Sequence, residues 1–576
     1  MRVPGLDEKL AQPIHGTSTI ACHPQVAFAF ISCNQFSRTY ILLLAALSGI
    51  FFSTAWCSSW YGFLLFVSIV PILLMVEHLT TWKKQGIYLF FYIFLSFLIW
   101  NSLTLWWLYR AAWAAFIFTS CYNTLCLSLP IYFYYSMRKW KGNYVGYLSL
   151  IAAWLTLEQA HYTWEWWELT FPWLNLGNGL AALPSWIQWY AYTGILGGSF
   201  WIVVINLLIY HLLLKKNNPR GLTLLGSVLI LPLAISLMMY YNHKETETPL
   251  EAVIVQPNLD SYTEKNDSSS LFVPYAKQID RLVTLSLEQL TPHTRLVIWP
   301  ESAIPSYLEE RSINYYTITQ PILKFLKDHP NLNLITGASS FRNYGNNKLT
   351  KTARLVQGNY IDYFNSVFYF KSGHTRNNPE VYHKTKMLPG GEYIPYFHFF
   401  SEPILRWIKK IFADIGNIDP AFSKGNGSTV FNLNATTRVA PINCYESLYG
   451  AFVGSACKKG ATLLVVVTND GWWGNTPIYH QHFQYSRLIA IAHRRSVLRS
   501  ANTGISGCIN QRGDVITATN RLQPAAIRQH INTNQQLTFY SLYGDYIGHI
   551  ACWIFLLLIL ARIVTLVRNT KHLAQH

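Results

Sequence analysis

Apolar residues crowd this chain into eight runs, each close to the roughly 20 residues that cross a bilayer as a helix. They fall near 40–57, 60–79, 86–109, 112–136, 143–160, 188–213, 221–241 and 546–567. Between the seventh and the eighth lies a stretch of ordinary polarity, about 248–545, where the pattern shortens. The runs Ala252–Asn258, Leu296–Trp299, Leu332–Gly337, Ser366–Phe370, Val439–Asn443, Leu463–Thr468 and Gly504–Asn510 predict strands. Their near-continuous Val, Ile and Leu content suits buried sheet. The segments 274–290 and 477–497 carry helical periodicity. Strands alternating with helices predict an α/β sandwich.

This pattern divides the chain into a tail (1–38), a seven-helix membrane region (39–245), a polar α/β domain (246–545), an eighth membrane helix (546–568) and a short tail (569–576). Composition agrees with a membrane protein. Charged residues make up 13%, against roughly 25% in soluble domains. The net charge of +17 would suit a nucleic-acid binder, but the basic residues form no single patch. They sit in alternate short loops: Lys83 and Lys84, then Arg138, Lys139 and Lys141, then Lys215, Lys216 and Arg220, with Arg568 and Lys571 in the tail. The opposite loops hold Arg110, Glu165 and Glu168 and little else charged. Basic loops face the cytoplasm. Both termini are therefore expected there, with the 246–545 domain on the far side, the periplasm of a bacterium. Residues 1–38 have no long apolar core and no small-residue cleavage site, and read as a retained tail. The nine cysteines show no CxxC spacing, so neither a zinc site nor a disulfide framework is expected.

Three short runs carry candidate chemistry. Trp299-Pro300-Glu301 ends an apolar run on a carboxylate, and the proline holds Trp299 extended. Lys384 and Lys386 precede a turn, Pro389-Gly390-Gly391, and then Glu392. In an extended segment both lysines share a face, so spacing does not choose between them. Asn443-Cys444-Tyr445-Glu446 places a thiol where a strand turns, with free backbone N–H groups nearby to hold an oxyanion. A thiol needs a base or a nearby cation to become a nucleophile. Trp472 and Trp473, after the Asn469-Asp470-Gly471 turn, are either a packed aromatic corner or a wall of an acyl pocket. His480 and His482 alternate, but no third ligand stands near them and no metal is expected. The segment Tyr393–Phe412 mixes Phe399, Phe400 and Trp407 with lysines, which suits an arm lying on a bilayer.

The order Glu301, Lys384, Cys444, in Trp-Pro-Glu, Lys-x-x-x-Leu-Pro and Asn-Cys-Tyr-Glu contexts, resembles the nitrilase superfamily of carbon–nitrogen hydrolases. The membrane runs Phe171-Pro-Trp-Leu-Asn-Leu-Gly177 and Tyr192-Thr-Gly-Ile-Leu-Gly-Gly-Ser-Phe-Trp201 narrow the resemblance to the apolipoprotein N-acyltransferase family. That resemblance implies eight transmembrane helices around a nitrilase-like αββα sandwich. It makes Cys444 the nucleophile, Glu301 the general base and Lys384, rather than Lys386, the oxyanion-side cation. Glu392, Tyr445, Glu446, Trp472 and Trp473 become candidate substrate-binding positions. It further implies a membrane phospholipid donor, a diacylglyceryl apolipoprotein acceptor, an inner-membrane location, a monomer, and no metal or organic cofactor. One departure stands out: the family tryptophan after Gln-x-Asn is missing from Gln256–Asn266, where Tyr262 is the available aromatic. The competing reading is a membrane-anchored amidase that uses the same three residues with water as acceptor.

Overall fold

The computed structural model describes residues 38–57, 61–79, 85–215, 218–371, 373, 378–396, 399–401, 403–404 and 422–573. Among these, seven helical segments are long and apolar enough to cross a membrane: Arg38–Cys57, Tyr61–Leu79, Gly86–Leu105, Trp113–Lys141, Tyr190–Leu214, Pro219–Asn242 and Tyr546–Thr570. The remaining expected span, 143–160, is a helix, Asn143–Thr163, but is less apolar than these seven. The reason lies at its end, where Glu158 and His161 are buried and hold the following chain. Glu158 Oε1 accepts from Trp154 Nε1 and from the Leu176 backbone, each at 2.9 Å. His161 Nδ1 accepts from the Phe171 backbone at 2.9 Å. These contacts seat the 3₁₀ turns Pro172–Leu174 and Leu176–Leu180 inside the bundle.

Two sheets form the polar half. The first runs, edge to edge, through Ala525–Asn532, Pro249–Gln256, Leu296–Ile298, Asn333–Asn343, Asn359–Phe370 and Arg354–Val356. Ile304–Glu309 and Glu380–His383 are attached to its long central strands. The second runs Val515–Ala518, Gly507–Ile509, Val497–Ala501, Leu463–Thr468, Arg438–Asn443 and Phe431–Asn432. Alternate residues of each strand point to opposite faces. Ile254, Ile298, Ile335 and Val367 of one sheet thus meet Val439, Val465, Val467 and Leu498 of the other. The outer face of the first sheet, with Val253, Val297 and Phe368, is covered by Ile279 and Leu282 of Tyr275–Leu287 and by Ile322 and Phe325 of Gln320–Asp328. The outer face of the second, with Ile442, Leu464 and Val466, is covered by the helices Gly450–Lys458 and Ile478–His493. The layers are αββα, and every apolar sheet face has a partner.

The Ile478–His493 helix belongs to both halves. One side packs on the second sheet; the other enters the membrane bundle's core. Trp56 Nε1 donates to the Tyr485 hydroxyl at 2.8 Å, which donates to the Trp173 carbonyl at 2.9 Å. Trp173 Nε1 donates to Gln481 Oε1 at 2.8 Å. This helix is shorter than the expected 477–497. Arg494 takes a left-handed φ of 50°, and Val497, the last residue of the expected helix, opens the strand Val497–Ala501, which the sequence pattern does not mark.

Candidate active site

Cys444 ends the central strand Arg438–Asn443 of the second sheet, at the start of a 3₁₀ turn. Its φ is +55°, a conformation that a non-glycine residue holds only when the surroundings impose it. The neighbouring strand Leu463–Thr468, which pairs Val467 with Asn443, fixes one side of this turn. Glu446 fixes the other: its carboxylate accepts from the Asn443 backbone at 2.8 Å, the Thr385 backbone at 2.6 Å, the Lys386 backbone at 3.0 Å and the Tyr382 hydroxyl at 2.6 Å. One buried carboxylate thereby ties the thiol's turn to the lysine's loop.

Glu301 follows Leu296–Ile298 in the other sheet. A β-carbon on Gly337 would come within 2.5 Å of the Glu301 Cα, so only glycine lets the adjacent strand pass this close. Glu301 Oε2 accepts from the Asn469 backbone at 2.9 Å, and Oε1 from Asn365 Nδ2 at 2.8 Å and Lys384 Nζ at 3.3 Å. Lys384 Nζ also donates to Glu392 Oε1 at 2.9 Å, and Asn365 Nδ2 donates to the same oxygen at 2.7 Å. Burial alone would lower the Lys384 pKa, but the charges of Glu301 and Glu392 outweigh it and hold the ammonium well above its usual range. Lys386 faces away. Its Nζ pairs with exposed Glu165 at 3.2 Å and stands over the Tyr449 ring.

The Cys444 thiol is raised above its ordinary pKa, first by burial and then by the Glu301 charge, against the pull of Lys384 and Thr468. At neutral pH it rests as a thiol. A thiol in that state needs a proton acceptor before it can act as a nucleophile, and the Glu301 carboxylate lines the same cavity. Thr468 Oγ1 lies 3.2 Å from Cys444 Sγ and 3.1 Å from Asp470 Oδ1. Behind it, Asp470 accepts from Arg499 Nη2 at 3.0 Å and His482 Nδ1 at 2.8 Å.

Glu301, Lys384 and Cys444 all open into one cavity of about 890 Å³. Glu392, Tyr445, Trp472 and Trp473 line it as well; Glu446 does not, and lies behind the wall it supports. The membrane half adds Trp107, Leu108, Ala115, Phe118, Tyr122, Phe171 and Trp173 to the wall, and the sandwich adds Ile304, Tyr307 and Leu388. Trp473 packs edge-on against Trp107 with centroids 4.8 Å apart, so it joins the two halves as well as lining the cavity. Tyr262, the aromatic available where the family tryptophan is absent, lines the cavity and donates to the Trp472 carbonyl at 2.8 Å. Of the suggested arm, Phe399 and Phe400 are exposed and Phe400 reaches the cavity. Trp407 and most of 393–412 lie outside the described residues. The residues that sequence reading passed over are Asn365, Thr468 and Asn469. Each is a polar residue inside or just after an apolar strand, which is the signal that could have singled them out.

A family model described as apolipoprotein N-acyltransferase N-terminal domain matches residues 48–208, and one described as carbon-nitrogen hydrolase matches residues 270–537. Between them they take in most of the chain, in the order membrane half then sandwich. The chain belongs to the apolipoprotein N-acyltransferase family. The apolipoprotein N-acyltransferase of Chlorobaculum tepidum is 27% identical over 527 residues, which is 88% of this chain and 93% of that protein. That of Thermotoga maritima is 24% identical over 554 residues, 91% of this chain and 93% of that protein. Among solved structures, Nit3 of Saccharomyces cerevisiae, a member of branch 10 of the nitrilase superfamily, is 14% identical with a TM-score of 0.33, covering 50% of this chain and 92% of that one.

Proposed function

We propose that this enzyme moves a fatty acyl chain from a membrane phospholipid to the α-amino group of the S-diacylglyceryl cysteine that begins an apolipoprotein, through a thioester on Cys444. The observation that carries this reading is that one cavity holds a carboxylate, an ammonium and a thiol while part of its wall, from Trp107 to Tyr122, is membrane helix. In the first step Glu301 takes the thiol proton as Sγ attacks the ester carbonyl. Lys384 faces the oxygen on which negative charge gathers. Collapse breaks the ester C–O bond, and the departing alkoxide takes the proton from Glu301 as lysophospholipid. In the second step the acceptor amine attacks the thioester, Glu301 takes its proton, and the sulfur leaves and is reprotonated. This is a two-step, ping-pong scheme. No step calls on a metal or an organic cofactor.

The sandwich then faces the periplasm and both termini the cytoplasm, a reading supported by the basic loops at Arg138–Lys141 and Lys215–Arg220. An amidase acting on a small amide would use the same three groups, but it has no need of a cavity walled by Trp107, Phe118 and Tyr122. The deciding experiment is intact mass of the purified enzyme incubated with phospholipid alone, then chased with a diacylglyceryl peptide. A fatty-acyl adduct on Cys444 that the peptide removes is the expected result. An unmodified enzyme that hydrolyses small amides would defeat the proposal.

A further inference from the structure

Among the described residues two lysines line the cavity, and they are not equivalent. Lys384 is claimed by two carboxylates. Lys265 is not: among the described residues its one side-chain hydrogen bond is to a neutral acceptor, the Ser302 carbonyl, at 2.5 Å. An ammonium has three donors, so two remain to face the space that Lys265 lines. Ser302 directly follows Glu301 and carries a left-handed φ of +54°. The cation is thereby anchored one peptide bond from the proposed base.

The loop that presents Lys265 is rigid by its own hydrogen bonds. Asp260 Oδ1 accepts from the backbones of Tyr262 and Thr263, each at 2.9 Å, and the Asp260 carbonyl accepts from the Lys265 backbone at 3.0 Å. Glu264 Oε2 closes it by accepting from the Asp260 backbone at 2.8 Å. Burial pushes the Lys265 ammonium down to about 8, with the Glu301 charge working the other way. Such a cation gains from any anion placed against it. Among the described residues the other carboxylates on the cavity wall are Glu392, which is paired with Lys384, and Asp267, which is exposed.

We infer that Lys265 binds the phosphodiester of the acyl donor, so that the cavity recognises a glycerophospholipid by its phosphate as well as by its chains. This inference rests on the acyl-transfer reading above. The two groups share one space: in a glycerophospholipid the ester carbonyl and the phosphate are only a handful of bonds apart, and here the thiol and Lys265 open into one cavity. Lysine binds phosphate as a point charge through charge-assisted hydrogen bonds.

The test compares two donors on the full-length enzyme in detergent micelles, reading thioester formation by intact mass. One donor is a phosphatidyl lipid. The other is the matching diacylglycerol, which has the same esters and no phosphate. The wild type is expected to favour the phosphatidyl donor by about 10- to 100-fold in kcat/KM, mostly through KM. Lys265→Gln should remove that preference while slowing diacylglycerol far less, and Lys265→Arg should restore much of it. If Lys265→Gln slows both donors equally, the lysine only props Ser302 and Glu301, and the inference is overturned. An unchanged preference overturns it too. Inorganic phosphate is added in a further arm at constant ionic strength. Competition by free phosphate in the wild type and not in Lys265→Gln would assign the site to phosphate itself rather than to the lipid. A wild type that forms no thioester with either donor would instead overturn the acyl-transfer reading.

Discussion

Lys384 Nζ stands closer to Glu392 Oε1, at 2.9 Å, than to Glu301 Oε1, at 3.3 Å. The ammonium is shared, and the shorter contact goes to the carboxylate that is not the proposed base. Glu392 thereby keeps Lys384 from closing fully onto Glu301. Replacing Glu392 by Gln should let that ion pair tighten and leave the base less able to accept a proton. Thioester formation is expected to fall about 100-fold, the scale of losing one preorganised catalytic interaction. A time course of acyl-enzyme by mass spectrometry checks this, and a wild-type rate would remove Glu392 from the machinery.

The two lysines of the loop make a sharper pair. Lys384→Ala should abolish detectable thioester, because it strips the charge facing the oxyanion and leaves Glu301 and Glu392 side by side. Lys386→Ala loses a pair to an exposed glutamate, and exposed pairs contribute only about 0–1 kcal/mol. It should keep most of its activity and its melting temperature. Dead Lys386→Ala with active Lys384→Ala would reverse the assignment.

Asp470 sets a pH dependence. Burial alone would raise its pKa, but His482 first and then Arg499 hold it below the usual 3.8. His482 is itself pushed down by burial and by Arg499, so at neutral pH its ring is uncharged and the counter-charge is the guanidinium. A depressed carboxyl stabilises the fold above its unfolded pKa and loses that contribution as pH falls through the folded value. Asp470→Asn should therefore cost about 3–5 kcal/mol at pH 7, the scale of breaking one partner from a buried pair. The gap from wild type should begin to shrink as pH falls below about 3.8 and go on shrinking toward the lower folded value. A series of denaturant melts from pH 7 downward decides it; a gap that stays constant through the acid range would mean the loss is packing, not charge.

Orientation is open to a direct test. A reporter active only in the periplasm should work when fused after Glu245 and fail near Lys139 or Lys215, since basic loops stay in the cytoplasm. The reverse pattern would put Cys444 on the side where no lipoprotein acceptor is exposed.

Most of the architecture was legible because its causes are local. The run lengths gave the membrane helices, and the Val- and Ile-rich runs gave the central strands. What escaped has causes at a distance. The Asn143–Thr163 helix is less apolar than a free span because Glu158 and His161 serve backbone groups at Leu176 and Phe171. The strand Val497–Ala501 goes unmarked in the sequence, and the helix before it reads on to 497, because nothing in Arg494 announces a left-handed turn. At the site, the three reactive side chains stood out by their contexts, but choosing Lys384 over Lys386 needed the family resemblance. The reason is now visible in Glu446, which accepts from both Thr385 and Lys386 backbones and turns the two lysines apart. Lys265 gave no signal at all, for a lysine in a polar loop looks like any other until the loop is folded.

The helix shared by both halves also constrains how the molecule is made. Trp56 finds its hydrogen-bond partner 429 positions further on, and Trp173 finds Gln481 after 308. A ribosome delivers the first membrane helices long before Ile478–His493 exists. Until then the bundle has an unfilled groove where that helix will lie. Closing so long a loop is slow compared with forming a single helix. The bundle and the thiol's strand must thus reach their final packing in the same late event. An enzyme truncated before residue 478 would hold an incomplete bundle as well as an incomplete sandwich, and the cell's membrane proteases would meet both defects at once.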